Sequence, residues 1–177
     1  MKKLYGKPHH EIARIILGRT ATLQRVRQLS EAHDHFLIKE HAHYAKLFPG
    51  IEHALQQLKK THLLAVLSNC NHANILALLH ASKLNKNIFH NIIGQNDVQH
   101  SKPYPDEIYK AEKLTHHHAT YMIGDSIYDM IAARNAHIGS IGVLTGHYTK
   151  KQLFRQGAKA VIPSVNELPQ LLNKLTK

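Results

Sequence analysis

The pattern of apolar residues changes at Phe48-Pro49-Gly50, and this change constrains the fold more than any other feature of the chain. Proline followed by glycine ends regular structure. Residues 8–47 carry apolar side chains at helical spacing, with one break near Ser30, and are predicted to be all-helical. Beyond the stop, short apolar runs alternate with helical patterns. This alternation predicts an α/β chain with right-handed crossovers and a parallel sheet.

The apolar runs and the helical patterns give approximate bounds for each element. The predicted strands cover residues 63–67, 88–93, 119–123, 138–144 and 160–162. The predicted helices of this part cover residues 51–58, 73–84, 105–114, 127–136, 150–156 and 165–175. We therefore predict two parts, a helical segment at residues 1–47 and an α/β core at residues 48–177.

Two carboxylates follow the strand predicted at residues 119–123. Asp125 comes directly after Gly124, and Asp129 lies four residues further on, in the first turn of a predicted helix. Open α/β sheets bind ligands at the carboxyl ends of their strands. Two neighbouring carboxylates repel each other unless a cation lies between them, and all-oxygen ligands favour Mg²⁺. The alternative is that Asp125 simply caps the helix that begins at Ile127.

Further polar residues are predicted to reach the same edge of the sheet. Ser68 and Asn69 follow the strand at residues 63–67, and Lys102 lies between prolines in the loop at residues 101–106. The serine hydroxyl and the Asn69 amide could donate to phosphate oxygens, while Lys102 neutralises their charge. Alone, Ser68-Asn69 is more often a helix cap, and Lys102 is more often a solvated surface lysine. Together they suit a phosphate held beside Mg²⁺.

Composition narrows the classes of partner. The net charge is +11, which attracts anions such as phosphorylated metabolites or nucleic acid. No cluster of five Lys or Arg residues occurs, so a charge spread over solvated faces is the simpler interpretation, and nucleic acid is not expected. No apolar run approaches the length of a membrane span. Because Cys70 is the single cysteine, a reducing compartment, the cytoplasm, is expected.

The 17 histidines raise the question of a transition-metal site. Histidine ligands must converge on one point, which a spacing of four residues on a helix achieves. The pairs His33/His35 and His41/His43 are spaced by two residues, which would direct the two rings apart on a helix. The run at residues 116–118 falls in a predicted turn. Most of these side chains are therefore expected at the surface, without a specific metal.

From about Phe48 onward the chain resembles the haloacid dehalogenase superfamily of phosphatases. The resemblance is to the branch with a small helical cap, which includes phosphoglycolate phosphatase, pyrophosphatase and β-phosphoglucomutase relatives, and it covers nearly the whole chain. The motifs that carry it are Phe48-Pro49-Gly50-Ile51, Leu67-Ser68-Asn69, Ser101-Lys102-Pro103-Tyr104-Pro105-Asp106 and Gly124-Asp125-Ser126-Ile127-Tyr128-Asp129. The resemblance implies a Rossmann-like core and a partial helical cap at residues 1–47.

The resemblance also implies roles for individual residues. Ser68 would bind the transferring phosphoryl group of a small phosphorylated metabolite. Lys102 would stabilise that group and the nucleophile, which makes it the expected catalytic residue. Asp125 would ligate Mg²⁺, and Asp129 would support the metal site. The cap would close over the substrate.

One departure from the family pattern affects the chemistry. The family forms a covalent aspartyl-phosphate on an Asp-x-Asp motif that ends its first strand. The five aspartates of this chain are Asp34, Asp97, Asp106, Asp125 and Asp129, and none begins such a motif. The missing strand would lie between the strand ending at Ser68 and the strand leading to Asp125. Its loss would leave a gap between them and a chain of marginal stability.

Two expectations follow from this departure. In the first, the chain belongs to a Mg²⁺-dependent phosphomonoester hydrolase whose nucleophile-bearing strand comes from upstream sequence or from another chain. In the second, it is an inactive remnant that at most binds Mg²⁺ and phosphate.

Overall fold

The computed structural model describes residues 4–175, and its first part is helical as predicted. Helix α1 (His9–Leu17) and helix α2 (Leu23–Phe36) pack against each other across a short 3-10 turn at Gly18–Thr20. Thr22 caps α2, because its hydroxyl accepts the backbone N–H of Arg25.

Helix α2 ends differently from the prediction. No break occurs at Ser30. Its hydroxyl donates a hydrogen bond to the carbonyl of Val26 at 2.9 Å, so this polar group finds its partner within the helix. The regular helix instead changes at Leu37–His41, which forms a π turn, and at Ala42–Tyr44, which forms a 3-10 turn. The predicted break was therefore placed too early.

The second part alternates strands and helices. Its helices are α3 (Ile51–Lys59), α4 (His72–Ala81), α5 (Asp106–Thr115), α6 (Ile127–Asn135), α7 (Lys150–Arg155) and α8 (Leu168–Leu175). Its strands are β1 (Ala65–Ser68), β2 (Asn91–Gly94), β3 (Tyr121–Gly124), β4 (Gly139–Val143) and β5 (Ala160–Ile162). All predicted strands are present, although most are shorter than predicted. The second begins late because Lys86–Ile88 forms a 3-10 turn that the Asn85 side chain caps.

The strands pair in parallel, but they form two sheets instead of one. Strands β1 and β2 make a two-stranded sheet, and the other sheet has the order β3-β4-β5. All three pairings are parallel, with Ser68 opposite Gly94 and Gly124 opposite Gly142. The predicted fold class is confirmed, and the prediction of a gap beside β1 and β3 is confirmed with it.

The gap is a slot of about 700 Å³ between the two sheets. Strands β1 and β3 form its long sides, and within the described residues each is paired with a neighbouring strand on one side only. Its lining is mostly apolar and includes Leu64, Val66, Tyr121, Ile123 and Val143. One wall of the slot is continuous with the buried core around β4 and β5, because Leu58, Leu168 and Leu172 belong both to that core and to the slot lining.

The strand ends lie together at one edge, where the site described below forms. Among residues 4–175, no helix is both long enough and apolar enough to cross a membrane.

Candidate functional site

A pocket of about 480 Å³ opens at the carboxyl ends of β1 and β3. Strand β1 contributes Ser68 and the Asn69-Cys70 loop, and β3 leads into Asp125 and Asp129. Lys102 enters from the loop before α5, and residues 4–7 form part of the wall. The structure thus brings every predicted site residue to one pocket, because the parallel strands place their carboxyl ends at a common edge.

Asp125 is exposed toward this pocket, and its surroundings differ from those of a helix cap. Helix α6 is capped instead by Ser126, whose hydroxyl accepts the backbone N–H of Tyr128. The alternative interpretation, in which Asp125 itself caps the helix, is therefore wrong. Asp125 is left to face the pocket.

Two glycines make room for the carboxylates. A Cβ atom on Gly124 would collide with the side chain of Asp129, and a Cβ atom on Gly146 would collide with the carboxylate of Asp125. Gly146 lies in the loop after β4 and was not among the predicted site residues. Its position after a buried strand is the signal that could have indicated it.

Lys102 and Asp129 form a buried ion pair. The Nζ atom of Lys102 lies 2.8 Å from Oδ1 of Asp129 and also donates to the carbonyl of Leu67 at 2.7 Å. Oδ2 of Asp129 accepts the backbone N–H of Ser126 at 3.0 Å. Burial alone would lower the pKa of Lys102, but the negative charges of Asp129 and Glu107 outweigh it and raise that pKa. The lysine is therefore held as a cation below the pocket.

Glu107 is a site neighbour that the sequence analysis missed. Its side chain is fully buried in the first turn of α5, and Oε2 lies 3.9 Å from Nζ of Lys102. Burial raises the pKa of this carboxyl. Within residues 4–175, neither carboxylate oxygen has a hydrogen-bond partner. An acid four residues before the buried Ala111, on the apolar face of α5, was the available signal.

Asn69 has a different role from the one predicted for its side chain. Its Nδ2 atom donates to the carbonyl of Gly6 at 2.6 Å and to the carbonyl of Lys102 at 3.0 Å. Both amide hydrogens are thus used to hold two loops together, and a phosphate oxygen could accept one only if these bonds changed. Ser68 is oriented locally, because its hydroxyl accepts the backbone N–H of Cys70 at 3.1 Å.

Two carboxylates, Asp125 and Asp129, and two lysines, Lys7 and Lys102, line the pocket. Partial desolvation, together with the charge of Asp129, raises the pKa of Asp125 above its ordinary value. Asp129 is paired with Lys102, but its charge still repels that of Asp125. A hard divalent cation at Asp125 would relieve this repulsion, so the residues present fit Mg²⁺. Asp129 would lie beside the cation, held in place because its two oxygens are bonded to Lys102 and to the backbone of Ser126.

The fold and the pocket define a haloacid dehalogenase-like hydrolase. The sequence matches that family over residues 1–143, and the chain belongs to it. It is 31% identical over 134 residues to a probable phosphatase, IndB, of Dickeya dadantii (strain 3937), which covers 74% of this chain and 58% of that protein. It is 33% identical over 132 residues to a phosphoglycolate phosphatase of Yersinia pestis, which covers 73% of this chain and 57% of that protein.

Comparison of the structure with solved structures also finds a related hydrolase. A hydrolase from Pseudomonas syringae superposes with a TM-score of 0.83 at 28% identity, over 97% of this chain and 80% of that one. The chain spans only 50–58% of the length of three curated relatives that it matches, the two phosphatases above among them.

Proposed function

We propose that this chain provides the Mg²⁺- and phosphate-binding part of a phosphomonoester hydrolase that acts on a small phosphorylated metabolite. The observation that carries the proposal is the convergence of Ser68, Lys102, Asp125 and Asp129 on one pocket at the strand ends. Family membership and the phosphatase names of the relatives support it.

The geometry supports a distinct role for each side chain. Lys102 supplies the positive charge that a phosphoryl group requires, and Asp129 fixes the position of that charge. Ser68 offers a hydroxyl at the end of β1, and Asp125 offers an exposed carboxylate across the pocket. When bound, Mg²⁺ would neutralise phosphate charge and orient the ester. Asp125 is the proposed ligand, and Asp129 supports the site.

The same proposal assigns an occupant to the slot between β1 and β3. A single parallel strand there would pair with both free strand edges and cover the apolar lining. Its carboxyl end would then reach the pocket, where it would deliver the aspartate nucleophile and the general acid and base. We propose that upstream sequence or another chain supplies this strand. Residues 1–47 would form a partial cap over the pocket, and residues 48–177 the core.

A second candidate is binding of Mg²⁺ and phosphate without turnover. The observation that favours it is the pocket lining, whose carboxylates among the described residues are Asp125 and Asp129 alone. Asp129 is committed to Lys102 and Ser126, and Asp125 is the proposed metal ligand. Neither is left to act as a nucleophile. In both candidates we place the protein in the cytoplasm.

Release of phosphate from p-nitrophenyl phosphate distinguishes the two candidates. The chain is assayed with Mg²⁺ alone and with a synthetic peptide of roughly ten residues, an apolar strand that ends in Asp-x-Asp. The hydrolase proposal predicts turnover only with the peptide, lost in Asp125→Ala and in a peptide ending in Asn-x-Asn. The remnant proposal predicts no turnover even when hydrogen exchange shows that the peptide pairs. Mg²⁺-dependent turnover by the chain alone, lost in Asp125→Ala, would contradict both.

A further inference from the structure

A cluster of three potential metal ligands lies where the helical segment meets the core. His9 of α1 contacts Asp34 of α2, with 2.6 Å between Nδ1 and Oδ1. Nδ1 of His33 lies 3.6 Å from the same oxygen, and the two imidazole rings meet edge to face at 4.4 Å. One donor atom from each of the three residues falls within 4.8 Å of the others.

We propose that His9, His33 and Asp34 form a binding site for a borderline-soft divalent transition metal, most simply Zn²⁺. These three ligands differ from those of the proposed Mg²⁺ site at Asp125, and the inference does not depend on the proposed hydrolase function. Two imidazoles and one carboxylate are typical zinc ligands, and a fourth position remains for water or a substrate atom. Mg²⁺ prefers oxygen ligands and would not compete well here.

The donor separations suit tetrahedral coordination. With zinc–ligand bonds of about 2.0–2.1 Å, neighbouring ligand atoms of a tetrahedron are about 3.3 Å apart. The two separations from Oδ1 of Asp34, 2.6 and 3.6 Å, lie on either side of that value. Small side-chain movements would therefore equalise them. The exposed His33 ring has the freedom to make such a movement.

The ligands are oriented by neighbours as in known metal sites. Asn74 donates to Oδ1 of Asp34 at 2.6 Å, and Asn71 donates to Oδ2. On the other edge of the His9 ring, Nε2 lies 3.8 Å from the sulfur of Cys70. With Nδ1 on a metal, Nε2 would carry the hydrogen and donate it to this sulfur. Such outer partners fix the ring and the carboxylate that bind the metal.

The charge of Asp34 gives an independent reason for a cation. The residue is 8% exposed, and its ion-pair partners among residues 4–175 are the imidazoles of His9 and His33. Neither partner is a lysine or an arginine, so within these residues the buried carboxylate has no permanently charged partner. A divalent ion would supply that charge.

The site would join the two parts of the chain. His9 and Asp34 come from α1 and α2, whereas Asn71 and Asn74 belong to the loop and helix that follow β1. His9 also lines the pocket that holds Lys102 and Asp125. A bound metal would therefore hold α1 against α2, and Asp34 would link these helices to the core through Asn71 and Asn74, beside the proposed phosphate pocket. The spacing argument missed this site because its ligands come from two different helices.

Zinc binding by variants of the 177-residue chain tests the proposal. Zn²⁺ is titrated in competition with a chromophoric chelator, and Co²⁺ is added separately to record the visible absorption of a tetrahedral site. The wild-type chain should bind one Zn²⁺ that His33→Ala weakens at least tenfold. Because His33 is exposed, this variant should keep the wild-type circular dichroism spectrum. Asp34→Asn should weaken binding similarly.

Matched controls separate this site from general binding by surface histidines. His10 and His35 are exposed and lie next to the proposed ligands, so His10→Ala and His35→Ala should leave the affinity unchanged. Zn²⁺ should also raise the melting temperature of the wild-type chain and of both controls, but not that of His33→Ala. Equal affinity in His33→Ala and wild type, equal losses in the controls, or no binding at micromolar Zn²⁺ would each overturn the proposal.

Discussion

The ammonium group of Lys102 lies 2.8 Å from the carboxylate of Asp129, and both side chains are buried below the pocket. The second oxygen of that carboxylate holds the backbone of Ser126 at the start of α6. One aspartate therefore links the loop before α5 to the turn after β3. The pair fixes a cation beside the proposed phosphate site.

Breaking this pair should destabilise the chain strongly. Removing one member of a buried ion pair leaves the other charged and unpaired, which costs about 3–5 kcal/mol. We expect Asp129→Asn to lower the free energy of unfolding by about 3 kcal/mol in urea denaturation. The exposed pair Arg27–Glu31 provides the control, and Glu31→Gln should cause no measurable loss. Equal effects of the two substitutions would contradict a structural role for Lys102–Asp129.

The pair should also give stability a dependence on high pH. Because the folded pKa of Lys102 is raised above 10.5, the contribution of its charge is complete below pH 10.5. It should be lost as the pH rises through the higher folded value. Unfolding curves recorded from pH 8 upward should show this loss in the wild type and little of it in Lys102→Met. A loss of the same size in both proteins would contradict the assignment.

Removing the exposed carboxylate of the pocket should have the opposite effect on stability. The folded pKa of Asp125 is raised above 3.8, so ionisation of this group opposes folding. Without Mg²⁺, Asp125→Asn should be more stable than the wild type at pH 7, by up to about 1 kcal/mol because solvent screens a partly exposed group. The difference should vanish below pH 3.8 and develop above it. Destabilisation of Asp125→Asn at pH 7 would contradict this electrostatic account.

The slot between the two sheets should be visible in hydrogen exchange. Strand β4 is paired on both sides, whereas β1 and β3 are each paired on one side. Backbone amides without a partner exchange readily, so we expect β1 and β3 to exchange faster than β4 when followed by mass spectrometry. The strand peptide described above should slow exchange in β1 and β3 and leave β5 unchanged. Equal protection of β1, β3 and β4 in the chain alone would mean that the slot is closed in solution.

The same slot should limit thermal stability. Unpaired strand edges and an uncovered apolar lining remove contacts that an ordinary sheet would have, and each buried unpaired group costs about 1–3 kcal/mol. We expect the chain alone to melt below roughly 60 °C and to aggregate, with a higher midpoint when the strand peptide is present. A cooperative, reversible transition above roughly 60 °C without the peptide would contradict the expectation.

Much of this structure follows from short-range sequence patterns. The strand at residues 121–124, the turn at Gly124-Asp125 and the helix after it could be predicted because apolar runs and caps are local features. The parallel arrangement then implied that Ser68, Lys102 and Asp125 would meet at one edge. The alternation of strands and helices does not fix the residues at which each element begins and ends. These depend on individual contacts, such as the cap that Asn85 provides.

The remaining features depend on pairings between distant residues. The hydrogen bonds of Asn69 to Gly6 and Lys102 cross 63 and 33 positions, and no local pattern predicts them. Likewise, His9 meets Asp34 only because α1 folds back along α2. Ser30 shows the opposite limit, since its hydroxyl bonds to its own helix and the helix continues where the apolar pattern predicted a break.

Titration of Mg²⁺ into the chain, followed by the melting temperature, tests the central claim most directly. A ligand at 100 times its dissociation constant stabilises the folded state by about 2.7 kcal/mol. If the pocket at the strand ends is a Mg²⁺ site, the wild type and the control Asp106→Asn should both gain stability with Mg²⁺, and Asp125→Asn should gain none. Equal stabilisation of Asp125→Asn and the wild type, or no stabilisation of either, would contradict the claim.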